Sequence, residues 1–71
     1  MKVASFNVNS IRARLNILLD WVRKESPDIL CLQETKVPDA AFPETAFKDI
    51  NYYVVFRGEK SYNGVAILSK I

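Results

Sequence analysis

The sequence predicts an α/β fold built as β-α-β-β-β, and three observations carry that reading. A helical apolar period lies between two strand-like segments, the second strand is continuously apolar, and two β-branched, aromatic segments follow across a short connector. The composition is that of a globular chain: 71 residues, 49% hydrophobic, 25% charged, formal charge +2, with one Cys and no His. A single Cys31 excludes an internal disulfide or a Cys-x-x-Cys metal knuckle, so stability has to come from packing or from a partner. The absence of His removes Ser-His-Asp, Cys-His and zinc-helix chemistry, leaving carboxylates, amides, Tyr and Lys. The longest runs of aliphatic residues and Cys are four residues, Ile29 to Leu32 and Val65 to Leu68, which predicts neither a membrane span nor a secretory signal.

Residues 3–9 read as a strand with Val3, Ser5, Asn7 and Asn9 on one face and Ala4, Phe6 and Val8 on the other. Ser10 is the expected N-cap of an amphipathic helix carrying Ile11, Leu15, Leu18, Leu19 and Val22, stopped by Ser26-Pro27-Asp28. Residues 29–32 then read as a strand buried on both faces, ending in Gln33-Glu34-Thr35-Lys36. Pro38 to Pro43 reads as loop, and 44–50 as a short helical turn with Phe47 and Ile50 facing inward. Residues 52–57 and 62–69 read as strands, with 58–61 as a hairpin-type connector. Trp21, Tyr52, Tyr53 and Phe56 fall at spacings expected of core and sheet packing, and mid-strand Cys31 reads as a buried, inert thiol. No composition shift or linker divides the chain, so 1–71 is expected to be part of a single domain.

If the first two strands flank a helical crossover in one sheet, they are parallel and both C-terminal ends lie on one rim. Asn7, Asn9 and Glu34 then converge, at the edge where open α/β sheets tend to bind ligands. On position alone Glu34 has two readings: an exposed strand-end carboxylate paired with Lys36, or a ligand for Mg²⁺, which takes oxygen donors and keeps several waters. Asn7 is either an amide bonded to neighbouring backbone or a carboxamide that joins or orients the metal's shell. Tyr62 is either a hairpin residue or a phenol donating to a phosphate oxygen. From Met1 to Leu19 there are three basic side chains, Lys2, Arg12 and Arg14, and no acid, which fits a solvated helix face or an electropositive start that receives an anion.

Three separated motifs, Phe6-Asn7-Val8-Asn9-Ser10-Ile11-Arg12-Ala13-Arg14, Pro27-Asp28-Ile29-Leu30-Cys31-Leu32-Gln33-Glu34-Thr35-Lys36 and Tyr62-Asn63-Gly64-Val65-Ala66-Ile67-Leu68-Ser69-Lys70, resemble the N-terminal motifs of exonuclease III and related apurinic/apyrimidinic endonucleases. The resemblance covers essentially the whole chain and is weakest over 37–50. It implies the N-terminal portion of a four-layer α/β sandwich of the deoxyribonuclease I-like kind, incomplete as a domain. It also implies Mg²⁺-dependent hydrolysis of DNA phosphodiesters at abasic sites and 3′ ends in base-excision repair, with Mn²⁺ as a possible substitute. Glu34 matches the metal-binding glutamate and Asn7 the active-site asparagine beside it. Asn9 matches a position that is Asp in some members, so its amide removes one carboxylate. Tyr62 matches an active-site tyrosine of some relatives; Arg12 and Lys36 match positions near the DNA or the catalytic carboxylate. The expected setting is intracellular, cytoplasmic or nucleoid-associated, with DNA as partner and no membrane.

Family members are several times longer, and their catalytic His, its Asp partner and the Asp/Asn pair that handles the nucleophilic water come from later segments. The resemblance therefore implies that these 71 residues match the first portion of such an enzyme, need the rest of the domain to complete the fold, and are inactive alone. Two other readings compete: part of a superfamily phosphatase or other phosphodiesterase, and a non-enzymatic half-fold interaction module. Arg12-Ala13-Arg14 and Thr35-Lys36 favour the nuclease branch.

Overall fold

A computed structural model of the chain describes residues 1–59 and 62–70. Its elements run β1 (Val3–Asn7), α1 (Ile11–Glu25), β2 (Ile29–Gln33), a 3₁₀ turn (Asp39–Ala41), α2 (Glu44–Lys48), β3 (Tyr53–Arg57) and β4 (Val65–Ser69). The four strands form one sheet in the order β1-β2-β4-β3. β1 and β2 are parallel, with Asn7 level with Gln33, while β4 runs antiparallel to both β2 and β3. One rim thus collects the C-terminal ends of β1, β2 and β3, the start of β4 and the N-terminus of α1. Within the expected connector 58–61, Lys60 and Ser61 lie outside the described residues.

α1 begins as its sequence predicts: the Ser10 hydroxyl accepts the Ala13 N–H at 3.3 Å. It ends where Ser26 adopts a left-handed conformation, its N–H bonded to Val22 O, and Pro27 blocks continuation. Ile11, Leu18 and Val22 are buried against Leu30 and Leu32 of β2 and Ala66 and Leu68 of β4. Phe47 of α2 is fully buried, and Phe42 stacks on Phe56 with ring centroids 4.2 Å apart. The Tyr52 hydroxyl donates to Pro27 O at 2.6 Å, tying the α1–β2 turn to the entry of β3. Burial pushes that phenol's pKa above its ordinary value.

Several expectations need correction. β1 ends at Asn7, two residues early, because Asn9 and Ser10 take φ of 46° and 91° and turn the chain toward α1. β4 starts at Val65 because Asn63 and Gly64 are also left-handed, so Tyr62 precedes the strand. β2 is buried on one face only: Leu30 and Leu32 are covered, whereas Ile29 and Cys31 are half-buried. Trp21 is 39% exposed and lies at the margin of the core, lining an open cleft with Leu18 of α1 and Ala4 and Phe6 of β1. The sheet face opposite the helices exposes Val3, Tyr53, Val55, Val65 and Ile67, the apolar patch that an uncovered layer of a sandwich leaves. No helix among the described residues is long and apolar enough to cross a membrane.

The rim is fixed by backbone bonds from both sides. Ser10 and Ile11 N–H donate to Glu34 and Thr35 O, each at 2.9 Å, while Thr35 and Lys36 N–H donate to Gly64 O at 3.3 Å and Asn63 O at 2.8 Å. Gly64 has φ +96°, and a Cβ there would overlap the Thr35 side-chain oxygen. Gly64→Ala is therefore expected to destabilise the chain by about 2 kcal/mol or more, read as a lower urea midpoint. At the opposite end of the sheet the Lys2 N–H donates to Asp28 Oδ2 at 2.7 Å, which lowers the Asp28 pKa, with Lys70 and the N-terminus adding attraction. A depressed carboxyl pKa contributes stability above its unfolded value and loses it as pH falls through the folded value. The stability difference between the chain and Asp28→Asn should accordingly shrink as pH drops below 3.8, tracked by thermal unfolding across pH.

Candidate active site

Parallel pairing of β1 and β2 puts Asn7, the last residue of β1, beside Glu34, one step past the end of β2, and their side chains meet. Asn7 Nδ2 donates to Glu34 Oε2. Asn7 Oδ1 accepts the Asn9 N–H at 3.0 Å, an Asx-type turn that accounts for the left-handed backbone of Asn9. The amide is thereby held at both ends, with its nitrogen toward the carboxylate. Lys36 Nζ completes the group, donating to Asn9 Oδ1 at 2.5 Å and lying 3.7 Å from Glu34 Oε1.

Glu34 and Lys36 both have left-handed backbones, φ 55° and 59°. Such conformations cost a non-glycine residue about 1–2 kcal/mol and persist where surrounding bonds over-determine them. The bonds from the β1–α1 turn on one side and from Asn63 and Gly64 on the other do this. Because the residue between them, Thr35, is buried, the zigzag of the segment sends Glu34 and Lys36 outward together.

Four of the six candidate residues, Asn7, Asn9, Glu34 and Lys36, thus form one hydrogen-bonded and ion-paired network. Arg12 lies exposed in the first turn of α1 and makes no ion pair with another described residue. Tyr62 stands on the same rim ahead of β4, 61% exposed, without a hydrogen bond to another described residue. Sequence reasoning missed Thr35, which is 1% exposed with a hydroxyl that has no partner among the described residues. It also missed the contact of Gly58 N–H with Asp39 Oδ1 at 2.7 Å, which pins the segment after Lys36 to the end of β3. Asn63-Gly64 is a turn signal that marks the left-handed corner; Thr35 falls in the Gln33–Lys36 motif, but no local pattern marks it as buried.

The donor set bears on a metal. A half-exposed carboxylate beside a carboxamide suits a hard cation that retains most of its waters, as Mg²⁺ does with one or two protein carboxylates. No cluster of three His, Cys, Asp or Glu residues able to hold a metal occurs among the described residues. The fit is to a single anionic ligand, Glu34, with Asn7 steadying it.

Comparison with known proteins follows the same lines. Residues 4–71 match the endonuclease/exonuclease/phosphatase family. The chain is 44% identical over 70 residues to exodeoxyribonuclease III of Haemophilus influenzae, covering 99% of this chain and 26% of that protein. Its structure superposes on an AP endonuclease from Archaeoglobus fulgidus with TM-score 0.97 and 57% identity, over 99% of this chain and 27% of the other. It also superposes on a Neisseria 3′ phosphatase bound to product DNA hairpin, with TM-score 0.93 and 41% identity, again over 99% and 27%. The chain therefore spans about a quarter of the length of these relatives. With a match across nearly all of its residues, it belongs to the endonuclease/exonuclease/phosphatase family.

Proposed function

We propose that this chain supplies the metal-binding rim of a Mg²⁺-dependent DNA repair nuclease that hydrolyses phosphodiesters at abasic sites or 3′ ends. The observation that carries the reading is the Asn7–Glu34 contact at a rim shared by Asn9 and Lys36. The similarity to exodeoxyribonuclease III and an AP endonuclease supports the nuclease branch, and the DNA-bound Neisseria relative supports DNA as the partner. An intracellular, DNA-associated setting belongs to the same reading.

In this proposal Glu34 holds the cation, with Mn²⁺ as a substitute. A bound divalent ion would polarise the scissile phosphate and lower the pKa of a coordinated water. The chain's own residues do the rest of the local work. Asn7 fixes the carboxylate orientation, Asn9 anchors the Lys36 ammonium, and Arg12 presents a guanidinium at the positive end of α1, where phosphate oxygens are favoured. Tyr62 stands at the rim as a further donor to phosphate. These residues contain no His, so in this reading the general base comes from outside them.

The test uses two proteins: the 71-residue chain, and a chimera in which it replaces the matching segment of the Haemophilus relative. On a duplex with one abasic site and Mg²⁺, the chimera should incise and the chain alone should not. Groups that act as a unit lose their effect together when some are missing. Glu34→Gln in the chimera should cut the rate by about 100-fold or more, the scale of removing one preorganised charge-stabilising group. Metal-dependent turnover by the 71-residue chain that survives Glu34→Gln would overturn the assignment. A 3′-phosphorylated duplex, as a second substrate, separates a phosphodiesterase from a phosphatase, the reading that the Neisseria 3′ phosphatase favours.

A further inference from the structure

The Glu34 carboxylate has both oxygens engaged: Oε2 accepts from Asn7 and Oε1 faces Lys36 Nζ at 3.7 Å. Lys36 is held more closely by Asn9, whose Oδ1 accepts at 2.5 Å, but that amide is neutral and cannot balance the ammonium. Among the described residues Glu34 is therefore the sole anion paired with Lys36. The two side chains remain 46% and 31% exposed, so water and ions reach them. The Lys36 backbone is left-handed at φ 59° and bonded through its N–H to Asn63 O, which fixes the point from which the side chain reaches Glu34.

We propose that Lys36 is a built-in, displaceable counter-ion of Glu34: it balances the carboxylate when no divalent cation is bound, and a cation arriving at Glu34 must push it aside. Asn9 is what makes displacement easy, because the ammonium can leave Oε1 while keeping its shorter hydrogen bond. Lys36 then opposes cation binding by like-charge repulsion, and its removal tightens that binding. The inference rests on the reading of Glu34 as the cation's ligand.

Mg²⁺ titration of the 71-residue chain, followed by ¹³C NMR of the Glu34 carboxyl and the Lys36 Cε, reads both partners without any turnover. In the unsubstituted chain the two signals should move together with one dissociation constant. Lys36→Met, which removes charge at similar length, should tighten Mg²⁺ by roughly threefold to tenfold, the scale of a unit repulsion near the surface after screening. Lys36→Arg, which keeps the charge, should stay within about twofold of the parent, a small fraction of that repulsion. Amide spectra of each variant verify that the sheet is retained. Unchanged or weaker Mg²⁺ binding in a folded Lys36→Met chain, with Glu34→Gln still abolishing binding, overturns the counter-ion role alone. Mg²⁺ binding that persists unchanged in Glu34→Gln overturns the ligand reading beneath it.

Discussion

The candidate site is organised around three consecutive residues whose backbone is bonded from two directions. Glu34 and Thr35 carbonyls accept from the β1–α1 turn, and Thr35 and Lys36 amides donate to the corner ahead of β4. Either set alone would leave a three-residue exit from a strand free to choose among conformations. Together they impose two left-handed residues separated by a buried one, and that alternation places a carboxylate and an ammonium side by side. The parallel crossover then needs only to deliver Asn7 beside the same strand end, which the β1–β2 register does.

The interior serves this arrangement from below. α1 packs its buried stripe on β2 and β4, so its N-terminus, capped by Ser10, is held against the Thr35 carbonyl. At the far end the Tyr52 hydroxyl closes the α1–β2 turn onto β3. The helix is thus braced at both ends relative to the sheet, and the rim inherits that rigidity. Packing is one-sided, however: the face bearing Val55 and Ile67 has nothing over it among the described residues.

Much of this was legible in the residues. The 3.6-residue period of α1, the apolar run of β2 and the Asn63-Gly64 corner each follow from local chemistry, and the crossover rule alone brought Asn7, Asn9 and Glu34 to one edge. What was not legible was non-local. A strand pattern continuing through Val8 and Asn9 conceals an Asx turn, because alternation does not reveal whether an Asn side chain caps its own backbone. The continuous run Ile29 to Leu32 looks buried on both faces, yet burial of the outer face depends on a layer that these residues do not contain. No local pattern marks Thr35 as buried; its importance comes from Gly64, 29 positions later, leaving no room for a side chain.

The left-handed pair sets stability and chemistry against each other within single residues. At positions 34 and 36 the backbone would be more comfortable with Gly or Asn, and every β-branched residue would be worse. A chain drifting toward greater stability would trade Lys36, or even Glu34, for such a residue and relax the turn, erasing the charges that the turn exists to present. Selection for thermal robustness alone would therefore remove this charge pair before it loosened the core, and laboratory stabilisation would best begin on the exposed face of the helix rather than here.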